Sequence, residues 1–179
     1  MDFKLSEEQN LLIKSTKSFV KNELMQHEGL LEKTDNLPKE LYQEIKKKSQ
    51  ELGLYACNMP TEYGGGGLNA FDLTLIEKEL GHTSLALAEI AWRPQNILMA
   101  CTGKLIDEYL KPATTGERKD CIAMTEPEAG SDLRGMKTNA VQSGDDWTIN
   151  GTKHFISNAH ISDFVVLFAS TGKDEKGRN

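Results

Sequence analysis

Apolar side chains recur at helical spacing through the first two-thirds of the chain and alternate at strand spacing in the last third. Leu5, Leu12, Phe19, Val20 and Met25 fall near one stripe at 3.6 residues per turn. Ser6-Glu7-Glu8-Gln9 introduces that stripe as a capping box, in which the Ser hydroxyl and the Gln side chain satisfy orphan N–H groups. A second helix is predicted from Pro38, a favourable first position, to Gly53. Leu41, Ile45 and Leu52 form its stripe, and Lys46-Lys47-Lys48 its solvated face. Residues 54–67, with Pro60 and four consecutive glycines, read as a connector. Asn69 caps a third helix, Ala70–Leu80, with Phe71, Leu75 and Ile76 inward. Ser84–Cys101 reads as a fourth, poor in charge and so buried on most sides. Pro94 kinks or restarts it by removing one ladder donor. Lys104–Leu110 is a short fifth helix that Lys111-Pro112 closes.

The period changes after Thr114. Cys121–Met124 is a short apolar run, Thr138–Gln142 alternates, Ser143-Gly144-Asp145 is a turn, and Trp147-Thr148-Ile149 alternates again. Asn150-Gly151 is a hairpin signal, with Thr152–Ile156 as the return strand. Phe164–Ala169 is a further strand. The expected fold class is α+β. An all-α helical domain occupies residues 1–114, and residues 115–179 form the first part of an antiparallel β domain that stays incomplete.

Composition narrows the function. The 179 residues carry 21 Lys and Arg against 27 Asp and Glu, a net charge of −6. Such a chain lacks the basic face that non-specific nucleic-acid binding needs. No apolar run approaches the roughly 20 residues of a membrane helix, and the N-terminus lacks a basic-then-apolar signal pattern. Cys57, Cys101 and Cys121 lie far apart, as do His27, His82, His154 and His160. Neither a zinc site nor a disulfide framework is expected, and the cytoplasm is the default compartment.

Several glycine motifs fail on context. Gly65-x-Gly67-x-x-Ala70 fits a dinucleotide fingerprint, but no strand precedes it and no β-α-β alternation follows, so a helix-to-helix turn is the better reading. Gly103-Lys104 lacks the first glycine and the Ser or Thr of a phosphate loop. Gly130-Ser131-Asp132 lacks the outer glycines of a nucleophile elbow. Two segments carry more. Thr125-Glu126-Pro127-Glu128-Ala129-Gly130-Ser131-Asp132 leaves a strand through a small-residue turn with hydroxyls on both sides. Such a loop can offer consecutive N–H groups to a phosphate or to a cofactor's polar edge, although composition alone favours an ordinary Pro-Gly turn. Phe155 and Ser157, two apart on the predicted strand, would share one face. A ring beside a hydroxyl can pack a flat heterocycle, and an ordinary core aromatic is the bland alternative.

In order along the chain, these segments resemble the acyl-CoA dehydrogenase family. Cys121-Ile-Ala-Met-Thr125-Glu-Pro-Glu-Ala-Gly-Ser131-Asp132 is similar to the family's flavin signature. Gly135-x-Lys137-Thr138, Ile149-Asn150-Gly151-Thr152-Lys153 and Phe155-Ile156-Ser157-Asn158 follow at the family's spacing. Upstream, Leu52-Gly53-Leu54, Pro60 with the glycine turn, and Ile76-Glu77-Lys78-Glu79-Leu80-Gly81 resemble its helical domain.

The resemblance implies FAD-dependent α,β-dehydrogenation of an acyl-CoA thioester, with electrons passed to an electron-transfer flavoprotein. It places Ile122, Ala123, Met124 and Thr125 at the flavin pyrimidine edge and Gly130 and Ser131 near the pyrophosphate, with Ser131 also touching substrate. It packs Phe155 on the isoalloxazine, beside Ile156, and sets Ser157 near N5. The family usually has Trp or another aromatic at the Phe155 position, Thr at the Ser157 position and often Gly at the Glu128 position. The fourth family helix helps form the acyl pocket, which makes Trp92 and Arg93 candidates for tuning it, a core role being the simpler one for Trp92. The resemblance also implies a C-terminal helical domain beyond this chain. That domain would supply the catalytic glutamate and the contacts of a homotetramer or homodimer, so no residue here takes the catalytic role. Two alternatives stay open: a relative with other flavin chemistry, an enoyl-CoA reductase or a monooxygenase, and a non-catalytic helical interaction module.

Overall fold

In the computed structural model, which describes residues 4–91 and 94–172, helices fill the first part of the chain and strands the second. The chain divides into two units, Met1–Glu117 and Arg118–Asn179. Trp92 and Arg93 lie outside the described residues. Among the described residues, no helix is long and apolar enough to cross a membrane.

Helix α1 (Glu7–Phe19) begins as the capping box requires: the Gln9 amide donates to Ser6 Oγ at 3.1 Å and the Ser6 amide to Gln9 Oε1 at 3.0 Å. A π-helical turn, Val20–Leu24, and a 3₁₀ turn, Met25–His27, lead into α2 (Glu28–Thr34). Wide turns rotate the stripe, so Leu24 is fully buried and Met25 is exposed, contrary to the predicted pattern. Helix α3 (Lys39–Glu51) starts after Pro38 and ends before Gly53, whose φ of 70° terminates it. Leu52 lies beyond the helix end and is exposed. Helix α4 (Ala70–Leu80) has the predicted bounds, with Asn69 Oδ1 accepting from the Phe71 and Asp72 amides. Its inward face is Leu73, Ile76 and Leu80, while Phe71 is exposed.

The expected fourth helix is broken. Helix α5 (Leu85–Ala88) passes into one 3₁₀ turn, Glu89–Ala91, and a second follows at Asn96–Ala100, after Pro94. Leu87 and Ile90 are buried, but Leu85, Ile97 and Met99 are exposed. Pro112 does not close the fifth helix. The π-helical turn Ile106–Leu110 continues into α6 (Lys111–Thr115), so Pro112 lies inside a continuous helical run, directly after its wide turn, rather than at its end. Phe19, Val20, Leu24, Ile45, Ile76 and Leu87 centre one core. The glycine run forms the expected turn. A Cβ on Gly65 would meet the Met59 carbonyl oxygen at 2.2 Å, so this backbone approach admits only glycine.

In the second unit, β2 (Asn139–Ser143) and β3 (Asp146–Asn150) form an antiparallel hairpin through Gly144, whose φ is 65°. By contrast, β1 (Asp120–Ala123) and β4 (Phe164–Leu167) pair in parallel, Asp120 opposite Phe164. The antiparallel expectation therefore holds for the hairpin and not for this pair. A parallel pair needs a long crossover, and the hairpin with the segment after it supplies one. Ser170 extends the order beyond β4: the Ala140 amide donates to its carbonyl, and its own amide donates to the Thr138 carbonyl, both at 2.9 Å.

Asn150-Gly151 is not a hairpin turn, and residues 152–156 form no strand. The chain reverses one turn earlier, at Ser143-Gly144-Asp145. Gly151 instead leads the chain out of the sheet at a φ of 154°, packed against Thr138.

Candidate functional site

The two segments that carry the predicted site residues meet at the exit of β1, where residues 153–154 bond to residues 124–126. Cys121 and Ala123 face inward and are buried, while Ile122, Met124 and Thr125 keep partial exposure. The chain then reverses over Glu126-Pro127-Glu128-Ala129. The Glu126 amide donates to the Ala129 carbonyl at 2.9 Å, and the Ala129 amide returns to the Glu126 carbonyl at 3.3 Å. This reversal projects Gly130 and Ser131 into solvent, and a Cβ at Gly130 would meet nothing within 4 Å. Asp132 ends the loop by capping the 3₁₀ turn Leu133–Gly135 through the Arg134 amide, and its carboxylate pairs with the Arg134 guanidinium at 2.7 Å. Glu128 pairs with Lys137.

The second predicted segment is fastened to the first. The His154 amide donates to the Thr125 carbonyl at 3.0 Å, and Lys153 Nζ donates to the Met124 carbonyl at 2.9 Å. Phe155 and Ser157 do not share a strand face, because no strand forms there. Phe155 adopts a left-handed φ of 55°, the residue is 86% exposed, and the His154 ring lies 4.2 Å away, centroid to centroid. Ser157 is exposed and Ile156 half-buried, in a turn that the Ala159 amide closes on the Ile156 carbonyl. The order expected from a β ladder comes instead from the bonds to residues 124–125.

Glu126 joins these pieces and was not visible as a functional residue from sequence. Its carboxylate is buried and accepts from the Lys137 amide at 2.6 Å, the Thr138 amide at 3.0 Å and Lys153 Nζ at 2.7 Å. Burial alone would raise its pKa. The Lys153 ammonium, Thr138 and the Lys137 and Thr138 amides outweigh that and hold it at about 2. Glu126 and Lys153 stand far apart in sequence, so no periodicity links them. The only cue was that both lie in the motif segments, Thr125–Asp132 and Ile149–Lys153.

The arrangement offers an uncovered aromatic ring, three hydroxyls (Thr125, Ser131, Ser157) and an open glycine step. These are neutral donors and a flat surface, which suit a planar heterocycle with polar edges joined to a phosphate. Among the described residues, no group of three or more His, Cys, Asp or Glu could hold a metal ion.

Both units of the chain are similar to known proteins. Residues 6–117 match the family model described as acyl-CoA dehydrogenase, N-terminal domain, and residues 121–179 match acyl-CoA dehydrogenase, middle domain. A probable acyl-CoA dehydrogenase, YngJ, of Bacillus subtilis is 33% identical, over 100% of this chain and 47% of its own length. A 3-(aryl)acrylate reductase of Clostridium sporogenes is 34% identical, over 96% of this chain and 46% of its own. A glutaryl-CoA dehydrogenase of Mycobacterium smegmatis, solved in complex with FADH2, superposes with a TM-score of 0.78 at 27% identity. That match covers 92% of this chain and 43% of the other. The chain spans about half the length of the curated relatives it matches. With its helical unit and its partial β unit each matched in sequence, the chain belongs to the acyl-CoA dehydrogenase family.

Proposed function

We propose that the protein carrying this chain is an FAD-dependent acyl-CoA dehydrogenase that forms the α,β double bond of an acyl-CoA thioester. Electrons then pass to an electron-transfer flavoprotein. The observation that supports the reading is the fastening of residues 153–154 to residues 124–126, which ties the segment that carries Phe155 to the segment that carries Thr125. In this reading Ile122, Ala123, Met124 and Thr125 hold the flavin pyrimidine edge, and Gly130 and Ser131 border the pyrophosphate. Phe155 and Ile156 pack on the ring system, the Ser157 hydroxyl donates near N5, and Ser131 also meets the acyl-CoA.

The flavin supplies the hydride acceptor. The chain's own residues fix the ring and present neutral donors to its edges, where electron density rises on reduction. The base that takes the α proton is not assigned to this chain. Glu126 is held near pKa 2 by its partners, which makes it a weak proton acceptor, and Glu128 is exposed and paired with Lys137. A domain outside these residues supplies the base and the contacts of a homotetramer or homodimer. Cys57, Cys101 and Cys121 are not joined in disulfides with one another, which supports a reducing compartment, the cytoplasm. The boundary between the helical domain and the flavin-binding β domain, read from sequence at 114/115, falls a few residues later, between α6 (Lys111–Thr115) and β1 (Asp120–Ala123).

One comparison favours a second reading. The arylacrylate reductase is as similar as the dehydrogenase, so the same half-site could serve reduction of an α,β-unsaturated acid derivative.

FAD titration tests the binding claim. The chain is expected to quench flavin fluorescence and to retain yellow colour through gel filtration, and a colourless folded chain overturns it. Adding an acyl-CoA under anaerobic conditions is expected to leave the flavin of the 179-residue chain oxidised. Rapid bleaching would show that the base lies within it. With the longer protein, bleaching by a saturated acyl-CoA supports dehydrogenation. Turnover only of the unsaturated compound by reduced flavin supports the second reading.

A further inference from the structure

The buried ion pair between Glu126 and Lys153 has no place in the flavin contacts named above, yet three segments of the second unit converge on it. Lys153 Nζ bridges Glu126 Oε1 at 2.7 Å and the Met124 carbonyl at 2.9 Å. Glu126 in turn accepts the amides of Lys137 and Thr138, at the entry to β2. The two side chains are 8% and 3% exposed.

We propose that Glu126 and Lys153 are positioning residues for the flavin, setting the distance between the Met124–Thr125 edge and the Phe155–Ser157 segment. The proposal rests on the FAD reading above. Stability alone is a weak reason for such a pair, because desolvating both charges offsets most of their attraction and a well-packed apolar pair often does as well. Directional bonds are a better one. Lys153 addresses two oxygens at once, and its neighbour His154 bonds Thr125. Residues 153 and 154 are the last points fixed to the β1 exit before Phe155 and Ser157. Neither of those side chains is held by burial. A displacement at Lys153 therefore passes directly to the ring and hydroxyl that would face the cofactor.

Two variants of the protein carrying this chain test it. In the first, Glu126→Gln is combined with Lys153→Met, which removes both charges and leaves none unpaired. In the second, Lys153→Arg keeps the charge but adds length and a planar fork. Circular dichroism and thermal melting report the fold, and FAD titration with visible spectra reports the site. The neutral double variant is expected to fold and to bind FAD about tenfold or more weakly than wild type. Lys153→Arg is expected to move the bound-flavin absorption bands, because the longer head displaces residues 154–157. If the double variant fails to fold, Lys153→Arg decides alone. Folded variants with wild-type affinity and wild-type bands overturn the positioning role while leaving the FAD reading intact. A wild type that binds no FAD overturns both.

Discussion

Lys153 places its ammonium 2.7 Å from Glu126 Oε1 with both side chains more than nine-tenths buried. This pair is the most enclosed ion pair among the described residues, and it lies between the two segments that the family resemblance marks as flavin contacts.

The pair makes stability depend on acid. Glu126 is held at about 2 in the folded chain against an ordinary value of 4.5. A folded value below the unfolded one gives stability that is fully present above pH 4.5 and lost as pH falls towards 2. The contribution is at most ~3 kcal/mol. Urea denaturation from pH 6 to pH 3 should show the wild-type midpoint falling more steeply than that of the neutral double variant, Glu126→Gln with Lys153→Met. Parallel curves would place the acid sensitivity elsewhere.

Gly151 is the second constraint on this site. Its φ of 154° and its packing leave no room for a side chain: a Cβ would stand 2.2 Å from Thr138 Oγ1 and 2.5 Å from Thr138 Cα. Thr138 also supplies an amide to Glu126, so the clash propagates to the ion pair. Gly151→Ala should cost at least ~2 kcal/mol. Chemical denaturation measures the loss, and a variant within 0.5 kcal/mol (about the noise of a neutral surface change) would contradict it.

Local signals were legible where one segment decides its own structure. Ser6, Asn69 and Gly53 set helix ends as expected, because caps and left-handed stops depend on a few neighbouring atoms. Which face turns inward was less legible. The apolar pattern points Met25 and Phe71 inward, yet both are exposed, since a π-helical turn and the helix's rotation against its partners are tertiary effects. In the second unit the Asn150-Gly151 signal misled, because Gly151 serves close packing on Thr138 rather than a hairpin. The motif positions were readable, but their mode of support was not. Thr125 and Phe155 are related through a carbonyl, an ammonium and a carboxylate drawn from distant residues.

The capping box offers a test confined to the first unit. Ser6 and Gln9 exchange two bonds at the start of α1, and Gln9 Nε2 also reaches Asp72 on α4 at 2.9 Å. Ser6→Ala should therefore destabilise the helical unit by ~1 kcal/mol. Gln9→Ala should cost at least as much, since it loses the box and the tie to α4 together. Thermal melts of both variants followed at 222 nm provide the check. A Gln9→Ala variant as stable as wild type would mean that neither bond contributes.

Phe155 separates binding from stability most cleanly. The residue is 86% exposed, so truncation removes almost no buried surface, and Phe155→Ala should change unfolding free energy by no more than ~0.5 kcal/mol. Its backbone, at φ 55°, carries a penalty that glycine escapes, so Phe155→Gly should be more stable than Phe155→Ala by ~1 kcal/mol. If the ring is the surface on which the flavin packs, both variants lose FAD affinity, by about tenfold. The loss should be similar in the two although only glycine relieves the backbone. Fluorescence titration of the three proteins, read beside their denaturation curves, distinguishes the terms. Equal FAD affinity in all three removes Phe155 from the site, whereas an affinity loss in the glycine variant alone would assign the effect to backbone freedom rather than to the ring.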